Sequence, residues 1–286
     1  MPGIADASYD GETSPVLSIR SWLRCFAEAV EDSKLVEWEH TLDGQYGGGA
    51  RVALLDGGLD WELPVFGGAA LLPRDFTDSR DLGEHAALGT AHASLLVGQA
   101  GGGFEGLMPY GELLYGRVLW PGSRDDSARA VARGLHWAAA CGADVIILPF
   151  GLANAWPQVA EAIRWAARSG ATIVAAARNE GLEVSFPACL DEVTGVTGID
   201  IGGRPVVRCC TVERVDLAAP GSQVPGMGPQ GSVSLGGSSP AAVIAGGILA
   251  LRQAALRNSA AEAVVARPSS VAANTPGNLG VSAAPL

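Results

Sequence analysis

Basic residues are scarce in this chain. Its 286 residues carry 19 Lys and Arg against 30 Asp and Glu, a formal net charge of −11. A nucleic-acid binder needs a basic face to displace counterions, so that class is excluded; a soluble acidic enzyme is not. Aromatic residues make up 6% of the chain, whereas apolar residues make up 48% and glycine occurs 39 times. That balance suits close helix-on-sheet packing with many tight turns. No secretory signal is expected either: residues 1–14 are polar and acidic, with no basic start and no apolar stretch. The segment Val16 to Val30 carries Arg20, Arg24 and Glu28, which makes it an amphipathic helix and not a membrane span. The apolar run Ala241 to Leu251 is too short to span. The cysteines, Cys25, Cys141, Cys189, Cys209 and Cys210, are odd in number. The expectation is reduced thiols, mostly small buried hydrophobes, in a cytoplasmic protein.

What is present is an alternation of strand-like and helix-like runs. Arg51–Leu55, Leu113–Val118, Asp144–Leu148, Thr172–Ala177 and Val193–Thr197 read as apolar strands. Between them, Ala128, Val131, Ala132, Leu135, Ala138 and Ala139 follow helical spacing, with Ser123 or Asp125 available as a cap. Val159, Ile163, Ala166 and Ala167 do so again, entered near Pro157 and stopped at Gly170. The order predicts right-handed crossovers and an α/β fold: a mostly parallel central sheet with helices on both faces, in three α/β/α layers. Residues 1–45 read as a helical extension, 46–257 as the main domain and 258–286 as an Ala/Ser/Pro-rich tail. In such sheets functional groups gather beyond the carboxyl ends of the strands, where Asp56 and Asn179 stand.

Three segments carry the chemistry. Val52–Asp60 (VALLDGGLD) is an apolar strand ending in Asp56 and two glycines. Val174–Gly181 (VAAARNEG) is a strand running into Arg178 and Asn179. Gly236–Leu251 (GGSSPAAVIAGGILAL) leads from Gly237-Ser238-Ser239-Pro240 into a long small-residue helix. In order and spacing these resemble the aspartate, oxyanion-asparagine and nucleophile segments of subtilisin-like serine peptidases. GLMPYGELLYGRVL (106–119), WAAACGADVIILPFG (137–151) and VDLAAPG (215–221) resemble the connecting segments of that family. The resemblance implies Ser239 as nucleophile, Asp56 as the group that orients a histidine, and the Asn179 amide as an oxyanion donor. Those residue types fit the reaction: a serine hydroxyl attacks well only when a base takes its proton, and a carboxylate fixes the tautomer of that base.

The histidine is the point of difficulty. The chain reads Ala87-Leu88-Gly89-Thr90-Ala91-His92-Ala93-Ser94-Leu95 where the family pattern is His-Gly-Thr-His-Val-Ala-Gly. An ungapped match through Gly89 and Thr90 sets Ala91 as the expected histidine position and His92 against the valine. Three readings stay open: an engineered Ala91, a natural loss that makes a pseudoprotease, or service by His92 through a local shift. His40, His85 and His136 are poorer bases, His136 standing inside an amphipathic helix. The resemblance further implies peptide or protein substrates held as an added strand along Pro149, Phe150, Gly151 and Leu152, with Arg178 lining the pocket before the scissile bond. No metal, cofactor, nucleic-acid or membrane partner is expected. HASLLVGQ (92–99) resembles the short proteases that trim leader peptides in cyanobactin-like biosynthesis. The rival expectation is a peptide-binding module without turnover.

Overall fold

The computed structural model describes residues 16–29, 39–44, 46–77, 86–119, 124–152, 154–177, 184–206 and 215–265. In chain order the elements are β1 (Leu17–Ser18), α1 (Ile19–Ala29), α2 (Glu39–Leu42), β2 (Arg51–Asp56), β3 (Ala70–Asp75), α3 (Ala86–Val97), β4 (Phe104–Glu105) and β5 (Glu112–Arg117). They continue with α4 (Arg124–Ala140), β6 (Val145–Leu148), α5 (Pro157–Arg168), β7 (Thr172–Ala176), β8 (Val193–Ile199), β9 (Leu217–Pro220), β10 (Val224–Gly228), β11 (Gly231–Leu235) and α6 (Ser238–Val265). Seven strands form one sheet in the order β3-β5-β2-β6-β7-β8-β9, and every pairing is parallel. Parallel neighbours need crossovers, which the helices supply, and the sheet is therefore covered on both faces.

Strand alternation sorts the core into two layers. Val52 and Leu54 of β2, with Leu113 and Tyr115 of β5, face α1, α3 and α6. Ala53 and Leu55, with Leu114, face α4 and α5. Asp56 has the parity of Leu54 and so belongs to the α3/α6 side. Helix α6 is pressed into the sheet: a Cβ on Gly246 would come 2.5 Å from Ile147 Cδ1, so only a glycine lets the backbone approach so closely. By composition Ser238–Ser259 is long and apolar enough to cross a membrane, but 67% of that window is buried inside the protein, as in a core helix.

The strands expected at Arg51–Leu55, Asp144–Leu148, Thr172–Ala177 and Val193–Thr197 are present to within a residue or two. Helix α1 lies within the expected amphipathic segment, and its Ile19, Leu23 and Phe26 join the main core, so α1 packs as part of one body. The Arg20 guanidinium, 4% exposed, donates to the carbonyls of Leu107 and Leu42 and ties that helix down. Helix α6 continues to Val265, past the boundary expected at 257. Features not expected from sequence include edge strands β3 and β9, the short parallel pair β1–β4 and the antiparallel hairpin β10–β11.

Candidate functional site

Asp56 closes β2 at the carboxyl edge of the sheet and is 4% exposed. A carboxylate so enclosed needs donors. Its Oδ1 accepts the Gly57 backbone N–H at 2.7 Å. Its Oδ2 lies 2.7 Å from His92 Nδ1. The His92 ring, 0% exposed, comes from α3, which packs on the same sheet face. The carboxylate can only accept, so Nδ1 is the donor; in the neutral ring that leaves the lone pair on Nε2. Nε2 is enclosed and makes no hydrogen bond among the described residues.

Position 91, the expected histidine position, does not face Asp56. Ala91 is turned toward hairpin β10–β11, where a Cβ on Gly226 would lie 3.6 Å from Ala91 Cβ. The Ala91 carbonyl accepts Ser94 Oγ at 2.7 Å, and Ser94 Oγ in turn accepts the Met227 N–H at 2.9 Å. This side of α3 is occupied by the hairpin. One residue is about 100° of helix rotation, which separates the two positions. The ungapped match also sets the first histidine of the His-Gly-Thr-His pattern against Leu88. Leu88 and His92 are four apart and share a helix face. Leu88 is 41% exposed and His92 is buried, so that face runs from the surface down to Asp56.

Ser239 is the second residue of α6, half-buried, followed by Pro240 in the first turn, where a missing N–H costs no helical bond. The start of α6 is set by glycines. Gly237 has φ +99° and donates to Gly221 O at 2.7 Å. A Cβ on Gly198 would come 2.5 Å from Gly237 O, and one on Gly221 2.6 Å from it. The helix therefore begins directly on the carboxyl ends of β8 and β9. Asp56, His92 and Ser239 thus share one face and one edge of the sheet, although no hydrogen bond joins Ser239 Oγ to His92 Nε2.

Pro149 is buried, Phe150 half-buried and Gly151 exposed just beyond β6. The Leu152 N–H, expected on the open edge, donates to Phe186 O at 2.7 Å, so an added strand has Pro149–Gly151 available and not Leu152. Arg178, Asn179 and His85 lie outside the described residues, as does the His40 side chain. The His136 ring stacks on Trp165 with centroids 4.8 Å apart, away from Asp56. Among the described residues no three His, Cys, Asp or Glu side chains gather to hold a metal ion.

Sequence reasoning missed Tyr115, which is 1% exposed and lies beneath the turn that follows Asp56. Its hydroxyl reaches the Gly57 and Gly58 carbonyls at 3.1 and 3.2 Å. Burial pushes its pKa well above the usual 10.0, the negative charge of Asp56 pushes it further, and Arg117 opposes. The hydroxyl therefore stays a neutral donor. Its strand parity with Leu113 was readable; its partner was not.

A parallel sheet that gathers a carboxylate, an imidazole and a serine hydroxyl at its carboxyl edge has the parts of a serine hydrolase. Residues 47–278 match the subtilase family, and the chain belongs to that family of serine endopeptidases. It is 28% identical over 222 residues to the major intracellular serine protease of Bacillus subtilis, covering 73% of this chain and 69% of that protein. Among solved structures it resembles the patellamide maturation protease PatA, with a TM-score of 0.63 and 27% identity over 75% of this chain and 81% of the other. The prenylagaramide maturation protease PagA shares the fold, with a TM-score of 0.63 at 24% identity over 79% and 83%.

Proposed function

We propose that this chain is a cytoplasmic peptide-processing endopeptidase whose base is His92, acting between Asp56 and Ser239 on precursor peptides that carry a leader. The 2.7 Å contact between Asp56 Oδ2 and His92 Nδ1 carries this reading. In the proposed mechanism Ser239 Oγ attacks the scissile carbonyl carbon while its proton passes to His92 Nε2. Asp56 holds Nδ1–H and balances the imidazolium that forms. The carbonyl oxygen, now negative, is received by the Ser239 backbone N–H at the start of α6 and by the Asn179 side-chain amide. The imidazolium returns its proton to the leaving amine, and water, deprotonated by the same Nε2, then releases the acyl group. The peptide lies as a strand along Pro149–Gly151, with Arg178 beside the residue before the cleaved bond. Likeness to PatA, a maturation protease, supports the leader-peptide assignment. Likeness to intracellular proteases of Bacillus subtilis and Paenibacillus polymyxa supports the compartment.

A second reading, a peptide-holding module without turnover, is favoured by the enclosure of Nε2 and by Leu88 at the exposed end of the same helix face. Under the first reading, substrate brings Ser239 Oγ and Nε2 into reach, as apo sites often require. The test is labelling by a fluorophosphonate. Modification of Ser239 in the natural chain, lost in His92→Ala and Ser239→Ala, supports the peptidase. Absence of labelling in a folded natural chain that still binds leader peptide selects the second reading.

A further inference from the structure

We infer that Tyr115 is a positioning residue for the Asp56–His92 pair, an inference that rests on the proposed role of that pair. Three elements meet at its hydroxyl. The first is β5, which carries Tyr115 on the sheet face of Asp56. The second is the turn that leaves Asp56: the hydroxyl, with one proton to give, shares it between Gly57 O at 3.1 Å and Gly58 O at 3.2 Å. The third is the first turn of α3. A Cβ on Gly89 would overlap both the Tyr115 hydroxyl oxygen and the Gly58 carbonyl oxygen, so the helix backbone rests on this junction.

The same turn is tied to α3 a second time. The Thr90 hydroxyl accepts the Asp60 N–H at 3.0 Å and donates to Ala86 O at 2.6 Å. Gly57 supplies the N–H that Asp56 Oδ1 accepts, so a shift of this turn moves the carboxylate directly. Gly89 and Thr90 precede His92 by three and two residues on one rigid helix, so a shift of the first turn moves the imidazole as well. Tyr115 is thus the group that fixes the two halves of the pair relative to each other. Two carbonyl oxygens pointing at one buried spot need a donor, and the raised pKa keeps the phenol protonated to provide it.

The test is Tyr115→Phe in the full chain, with folding checked by circular dichroism. The ring and its packing stay; the proton shared by Gly57 O and Gly58 O goes. The expected result is a roughly ten- to hundredfold fall in kcat on a leader-bearing peptide, with KM within about twofold, because misplaced catalytic groups cost turnover and not ground-state binding. Independently of turnover, the low-field proton resonance of the His92 Nδ1–H bond to Asp56 should shift or broaden. A folded variant with unchanged kcat and an unchanged resonance overturns the inference. If the natural chain has no turnover, the proposed function fails while the resonance still decides the role of Tyr115. Should Tyr115→Phe not fold, 3-fluorotyrosine at 115 keeps the ring and alters the donor; an unmoved resonance there overturns the inference equally.

Discussion

His92→Asn separates the two duties of the imidazole. The ring is 0% exposed and the Asp56 side chain 6%, so removing the ring outright, as in His92→Ala, leaves a buried carboxylate with Gly57 N–H as its remaining donor among the described residues. Breaking a buried pair by deleting one partner costs about 3–5 kcal/mol, a large share of a total stability of about 5–15 kcal/mol. A loss of activity in His92→Ala could therefore reflect partial unfolding. Asparagine places an amide N–H near the position of Nδ1 and keeps the hydrogen bond to Asp56, but has no lone pair in the position of Nε2. The expected stability loss is about 1–2 kcal/mol, from the smaller volume, measured by urea denaturation. The expected fall in the rate of Ser239 phosphonylation is about 10⁴-fold or more, as for other losses of the base in such sites. The assay is intact-mass spectrometry against time at several fluorophosphonate concentrations. A folded His92→Asn chain that labels at the natural rate refutes the assignment of His92 as base.

Ala91→His should not create or raise activity: position 91 is fully buried against β10, and an imidazole there overpacks it at a cost of about 1–3 kcal/mol, read as a lowered melting temperature. Faster labelling in that variant would return the catalytic position to 91. Gly89→Ala should lose about 1–3 kcal/mol or more and also slow labelling, because the new methyl meets backbone on one side and the Tyr115 hydroxyl on the other. Stability should also fall at alkaline pH. Tyr115 has its pKa raised well above 10.0 in the folded protein, so above about pH 10 the unfolded state has released a proton that the folded state keeps. Stability then falls as pH rises, by up to about 1.4 kcal/mol per pH unit from this one group. Urea titrations at pH 9, 10 and 11 should show a shallower decline in Tyr115→Phe, and equal declines would contradict the shift.

The strands that sequence made legible are those buried on both faces. VALLD, DVIIL and TIVAA are continuous apolar runs because helices cover the sheet above and below. Strand β3 was hidden for the opposite reason. It lies at the sheet edge, reads ALLPRD and is mostly exposed, and its Pro73 is tolerable only on an edge. Hairpin β10–β11 is written largely in Gly, Ser and Pro, and its one alternation, Ser232-Val233-Ser234-Leu235, is too short to mark a strand. Asp56 and Ser239 stand out in the string because each follows a change of element that a short motif records. The partner of Asp56 was not. From Gly89 to Val97 every residue of α3 is buried, so the helix has no polar face to show which side meets the carboxylate. Matching residue types along the string set the histidine position at 91; the residue whose ring meets Asp56 is at 92.

The position of the histidine along its helix face has a mechanical consequence. Relative to Leu88, His92 lies one turn further along α3, about 6 Å along the axis. A side chain at 88 would approach Asp56 from the surface, within reach of solvent and of a bound peptide. His92 approaches from beneath, where it satisfies the carboxylate without any movement. Service to Ser239 is different, because Nε2 is enclosed and makes no hydrogen bond among the described residues, while the first turn of α3 is fixed. That turn is held by the Thr90 hydroxyl to Asp60, and by the close fit of Gly89 on Tyr115 and Gly58. The residue of that turn most accessible to a peptide, on the face of His92, is Leu88, at 41% exposure.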